Sequence, residues 1–186
     1  TGRTPDGLNA ALAATRHDIL VRVDGHGILS PGYLRTAVEV LERTGAANVG
    51  GVMHAVGRTD FERAVAVAMG SPLGVGGARF HTGGEEGESD TVYLGSFRRE
   101  WLDRVGGYDP RFDRAQDWEM NWRIRQAGPD DADALAGLRQ FGVDALDVRL
   151  FDRDLAGDLV GQFVDLAGRT SLNRAHAVLP LAVLAH

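Results

Sequence analysis

The sequence predicts an α/β fold, a mixed sheet with helices on its faces. Strand-like apolar runs at residues 18–24, 48–56 and 90–97 alternate with helical periodicity at 4–14, from 31 to near 45, and at 60–69. That alternation builds crossover connections on a sheet. Two of the helices are announced by a hydroxyl residue followed by proline, Thr4-Pro5 and Ser30-Pro31, a cap and first-turn signal. The composition, 44% hydrophobic and 25% charged over 186 residues, supports one sizeable core and excludes a disordered chain.

The elements follow in order. Leu8, Ala11 and Leu12 give the first helix its apolar face through Ala14. The strand at 18–24 closes on ILVRVDGH, an apolar run ending in an acid, a glycine and a histidine. Leu34, Val38 and Leu41 mark an amphipathic helix that stops near Gly45. NVGGVMHAV (48–56) reads as the second strand, and 60–69 as a further helix. Residues 70–87 carry seven glycines and the run Glu85-Glu86-Gly87-Glu88, which predicts a long mobile loop. DTVYLGSF (90–97) resumes strand character, 98–105 is a short helix, and GGYDP (106–110) a turn. QDWEMNWRIRQA (116–127) is a helix stopped by Gly128-Pro129. From 130 onward acidic and aliphatic residues recur at helical spacing, so the chain divides into a core at 1–128 and a helical C-terminal segment at 129–186.

Several classes are excluded. With no cysteine there is no disulfide, thiol nucleophile or cysteine-held zinc. All 20 basic residues are arginine, which removes Schiff-base and P-loop lysines. A net charge of −6 without a basic block argues against nucleic acid as a partner. Residues 1–18 lack the charged-then-apolar pattern of a secretory leader. No 18-residue apolar run forms a complete membrane span. VLPLAVLA (178–185) is too short to span and is either a packed terminal helix or the beginning of a span.

Two acidic places can carry chemistry. Asp24 and His26 project to the same side of an extended chain, with Gly25 allowing close approach. A carboxylate and an imidazole can hold a divalent ion bearing a diphosphate; equally, Asp24 can cap a turn and His26 sit in solvent. Asp117 and Glu119 lie in a first helical turn, where acids compensate the helix dipole or serve as a general base. Trp118 and Trp122, four residues apart, share a helix face that is either core or a stacking surface for a ring.

In their order along the chain, RTPDGLNAAL, VRVDGH, SPLGVGGARFH, DTVYLGSFRREWLDRVGGYDP and QDWEMNWRIRQAG resemble family 2 glycosyltransferases. The likeness is to the bacterial succinoglycan and exopolysaccharide branch, and it runs from about Arg3 to Gly128. It implies a GT-A (Rossmann-like) mixed sheet and inverting transfer from a nucleotide-diphosphate-sugar to a hydroxyl of a glycan or lipid-linked acceptor. Asp24-Gly25-His26 matches the family's D-x-D signature in a D-x-H form, giving Asp24 contact with the donor and Asp24 and His26 a divalent metal, Mn2+ or Mg2+. Asp117 matches the acid of the E-D motif and is implied to be the catalytic base, with Gln116 in place of the usual glutamate. Arg79, Arg98 and Arg99 match basic positions between donor and acceptor. The resemblance further implies a cytoplasmic setting, with peripheral association at the inner face of the plasma membrane.

Two departures accompany it. The family pattern opens with a strand, helix and strand for the nucleotide base, and Thr1 falls after them. After Gly128 the family's strand and aromatic-Pro-Arg segment find no counterpart in 129–153. The alternative reading is a catalytically inactive GT-A-like module for binding or assembly. A sugar-phosphate nucleotidyltransferase would need a basic glycine-rich N-terminal phosphate loop that this sequence lacks. A general hydrolase would need a nucleophile elbow or a metal cluster, and neither is present.

Overall fold

The computed structural model describes residues 2–25, 27–128, 137–149 and 162–165, with 142–149 and 162–165 as backbone. Helix α1 (Thr4–Ala14) has Pro5 in its first turn as the sequence predicts, but its cap residue is Arg3, without a side-chain cap bond. Strand β1 (Ile19–Val23) and the three-residue β2 (Gly27–Leu29) follow. Helix α2 (Tyr33–Thr44) begins two residues later than Ser30-Pro31 suggests. Those residues form a turn in which the Tyr33 N–H donates to the Ser30 carbonyl at 3.1 Å. Gly45, at φ +68°, ends α2 with its N–H on the Leu41 carbonyl, a left-handed stop that glycine adopts without a Cβ penalty.

Strand β3 (Asn48–Val56) and helix α3 (Asp60–Met69) coincide with the sequence reading. A capping box explains the sharp start of α3: Thr59 accepts from the Glu62 N–H and Glu62 accepts from the Thr59 N–H. The glycine-rich stretch is not one long loop. It holds two single-turn helices, α4 (Pro72–Val75) and α5 (Arg79–Thr82), and a short strand β4 (Gly87–Glu88).

The strand expected at 90–97 is shortened to β5 (Ser96–Arg98). Leu94 and Gly95 take φ of +58° and +86°, and the Gly95 N–H turns back onto the Tyr93 carbonyl at 2.7 Å. A Cβ on Gly95 would stand 2.6 Å from Asn48 Oδ1 and from the Phe97 ring, so only glycine makes this corner. Helices α6 (Arg99–Val105) and α7 (Gln116–Gln126) come next, as predicted.

The largest correction lies after residue 128. Residues 138–149, expected within a helical segment, form strand β6 (Leu138–Arg149), and Gln162–Asp165 is strand β7. Helical spacing in 130–149 competes with a vacant pairing edge on β3, and the ladder prevails. The remaining parts of 129–186, including 178–185, lie outside the described residues, as does His26.

The sheet runs β2-β6-β3-β5-β1-β7, with β4 added to β6. Strands β3 and β6 are parallel, and the other pairs are antiparallel, so the sheet is mixed. Alternation along β1 sends Leu20 to one face and Val21 to the other. On the Leu20 face Leu8, Leu12, Trp101, Leu102, Met120 and Ile124 bring α1, α6 and α7 into one core. On the Val21 face Tyr33, Ala37, Val40 and Leu41 pack α2 against Val49, Met53 and Phe141. No helix among the described residues is long and apolar enough to cross a membrane.

Candidate active site

Period two along β1 places Leu20, Arg22 and Asp24 on one face, the face that α7 covers. Arg22 is therefore driven under the helix, with its side chain only 3% exposed. A charge that deep requires partners, and it has two. Its Nε and Nη2 each lie 3.2 Å from Asp24 Oδ1, and its Nη1 contacts Asp117 Oδ1. Both carboxylates keep a path to solvent, with side-chain exposures of 18% for Asp24 and 28% for Asp117. One guanidinium between two carboxylates leaves the group net negative, an arrangement that favours a further cation.

Two tyrosines wall this triad. The Arg22 guanidinium lies 5.9 Å from the centroid of the buried Tyr108 ring. Burial raises the Tyr108 hydroxyl pKa, while the Arg22 charge opposes the shift. Burial pushes Tyr93 up to about 12; the negative charge of Asp24 adds to that and Arg22 works against it. Both hydroxyls are thus neutral at physiological pH.

Asp117 is aimed by the way α7 is tied down. Ala115, at φ +57°, turns the chain into the helix, and Asp117 occupies its first turn. The buried Asn48 donates through Nδ2 to Asn121 Oδ1 at 2.8 Å, and Asn121 donates to Thr91 Oγ1 at 2.8 Å. On the other flank Arg123 donates to Glu119 Oε2 at 2.7 Å and to the carbonyls of Val105 and Gly107 at 2.6 and 2.8 Å. Glu119, the second acid of that first turn, is committed to this clamp.

The structure brings together Asp24, from the second motif, and Asp117, from the last; it does not bring the three named arginines to them. Arg98 pairs across from Ile19, at the start of β1 and about 17 Å along the strand from Asp24. Its Nη2 donates to the Leu41 carbonyl at 2.7 Å. Arg99 donates to the His17 carbonyl and to Thr15 Oγ1, both at 2.7 Å. Arg79 donates through Nη1 to the Glu88 carbonyl at 2.8 Å and through Nη2 to the Glu85 carbonyl, ordering the glycine-rich stretch. Gln116 sits half-buried as the first residue of α7. Arg22 is the residue that the motif reading passed over, although a lone arginine inside ILVRV was the available signal.

Among the described residues no group of three or more His, Cys, Asp or Glu side chains is positioned to hold a metal. Asp24 offers one partly exposed hard oxygen ligand, which suits Mg2+ or Mn2+ bound by few protein groups with substrate phosphates completing the shell.

The mixed sheet flanked by helices is the GT-A fold. It aligns with the crystal structure of GalNAc-T7 with UDP, GalNAc and Mn2+ at a TM-score of 0.52 and 13% identity, covering 76% of this chain and 29% of that one. Residues 4–106 match glycosyl transferase family 2, and the chain belongs to that family. It is also 36% identical over 111 residues to the succinoglycan biosynthesis protein ExoA of Rhizobium meliloti (strain 1021). That alignment covers 60% of this chain and 34% of the relative, so the chain spans about a third of the relative's length. The family match includes Asp24 and Arg22 and ends before Asp117.

Proposed function

We propose that the chain moves a sugar from a nucleotide-diphosphate-sugar to a hydroxyl of a glycan or lipid-linked acceptor by a single inverting displacement. The observation that carries this reading is the convergence of Asp24 and Asp117 on the buried Arg22. Asp117 removes the proton of the attacking hydroxyl. As the new C–O bond forms at the anomeric carbon, the bond to the diphosphate breaks, and the nucleoside diphosphate leaves with the electron pair. Arg22 holds Oδ1 of Asp117, fixing the orientation from which the carboxylate accepts that proton. Asp24, with His26 two residues on, would hold Mn2+ or Mg2+, whose charge stabilises the departing diphosphate. Family membership supports the reaction class. The likeness to a succinoglycan biosynthesis protein of Rhizobium meliloti supports exopolysaccharide assembly as the setting; a place in the cytoplasm at the inner face of the plasma membrane is part of the same proposal.

The test is transfer from nucleotide sugars in the presence of Mn2+, with Asp117→Asn as the comparison. Transfer should fall by about 100-fold or more while donor binding persists. Turnover close to that of the parent chain would remove Asp117 as the base.

A further inference from the structure

Helix α1 carries the first sequence motif, RTPDGLNAAL, whose Asn9 reaches the turn that follows α6. The Tyr108 N–H donates to Asn9 Oδ1 at 2.8 Å, and Asn9 Nδ2 donates to the Tyr108 carbonyl at 2.7 Å. A side-chain amide offers one acceptor and one donor side by side, so it pairs with the Tyr108 main chain as a neighbouring strand would. The turn is shaped for this contact: a Cβ on Gly107 would stand 2.6 Å from Asn9 Oδ1, and only glycine lets the amide in. From α7 the same turn is held by Arg123, which donates to the carbonyls of Val105 and Gly107. The side chain fixed between these two clamps is Tyr108, 1% exposed, with the Arg22 guanidinium 5.9 Å from its ring centroid. Arg22 in turn holds Asp24 and Asp117. A cation over an aromatic face is attracted by the ring, and in a close-packed interior a shift of one group displaces the other.

We propose that Asn9 is a positioning residue of this site: it fixes Tyr108, and the Tyr108 ring fixes the Arg22 guanidinium between the two carboxylates. The side-chain type follows from the role. Aspartate in its place keeps an acceptor for the Tyr108 N–H but turns a carboxylate oxygen onto the Tyr108 carbonyl, at nearly unchanged volume. Acceptor then faces acceptor, the turn is pushed away from α1, and the ring leaves its place beside Arg22. Arg22 carries that displacement to Oδ1 of Asp117, the oxygen it holds. The consequence for transfer rests on Asp117 as the base, whereas the placement of Arg22 by Asn9 does not depend on it.

The test reads Arg22 itself. In the full chain labelled with 15N, the Nε–Hε signal of Arg22 is assigned by its absence in Arg22→Lys, and the nearby Tyr108 ring sets its position in the spectrum. The signal should move in Asn9→Asp, in Asn9→Ala and in Tyr108→Leu. It should hold its place in Thr15→Val, which cuts the tie between α1 and Arg99 and spares Asn9. Circular dichroism checks that each variant folds; Asn9→Ala, which loses the pair without adding a charge, carries the test if Asn9→Asp does not fold. Transfer should follow the signal, with kcat about tenfold lower or more in Asn9→Asp and the donor KM unchanged. An Arg22 signal that stays put in the Asn9 variants or in Tyr108→Leu overturns the proposal. Equal movement in Thr15→Val overturns it too, reducing the effect to the packing of α1, as does a moved signal with kcat at the parent value. If the signal moves and Asp117→Asn still transfers, the placement of Arg22 stands and the base assignment falls. A chain that transfers from no donor ends the functional reading, and the Arg22 signal still decides whether Asn9 places the arginine.

Discussion

Arg22 on β1 meets Asp117 on α7 across 95 residues of chain, with the arginine side chain almost fully buried. The same guanidinium holds Asp24, so the two acids that the motifs single out belong to one charge cluster. Removing the arginine leaves two carboxylates facing each other without their shared counter-charge. Arg22→Met should destabilise the fold by about 3 kcal/mol, and adding Asp117→Asn should recover about half of that. Urea denaturation of the single and double variants measures both; an additive double variant would show that the pair is not coupled.

Asn121 ties the helix bearing Asp117 to the sheet through the fully buried Asn48. Asn121→Ala leaves the Asn48 amide without that partner, at a cost of about 1–3 kcal/mol. Because the same bond fixes the height of α7, transfer should fall with the stability while Mn2+-dependent donor binding at Asp24 holds. Equal loss of both activities would place the effect in folding alone.

Tyr93 gives a pH signature. Burial and the Asp24 charge raise its hydroxyl from 10.0 to about 12 in the folded state. A raised pKa contributes stability that is present below the unfolded value and is lost as pH rises through the folded one. Stability should decline between about pH 10 and 12, by on the order of 2 kcal/mol. Tyr93→Phe should flatten that limb. Denaturation midpoints collected across the window test it, and an unchanged limb in Tyr93→Phe would exclude Tyr93 as its source.

Much of this was legible in the sequence, for identifiable reasons. Helices α1, α3, α6 and α7 and strands β1 and β3 carry strong periodicity or sharp caps, and they fall where the pattern places them. Asp24 and Asp117 were marked by motif order. Strand β6 was hidden because its slot is created by β3, a partner ninety residues earlier, rather than by local propensity. The corner at Leu94–Gly95 was hidden because it depends on the close approach of Asn48. Arg98 and Arg99 matched a basic pattern, yet their guanidinium groups anchor backbone and side-chain oxygens at the far end of β1. Arg22 was visible as a lone charge in an apolar strand; its partners were not, since only the packing of α7 supplies one of them.

Metal-dependent donor binding tests the site most directly. Calorimetric titration of UDP- and GDP-sugars into the chain, with and without Mn2+, should give saturable binding of one donor that requires the metal and is lost in Asp24→Ala. Binding that ignores Mn2+ and survives Asp24→Ala, or no binding of any nucleotide sugar, would contradict glycosyl transfer at the Asp24–Arg22–Asp117 cluster.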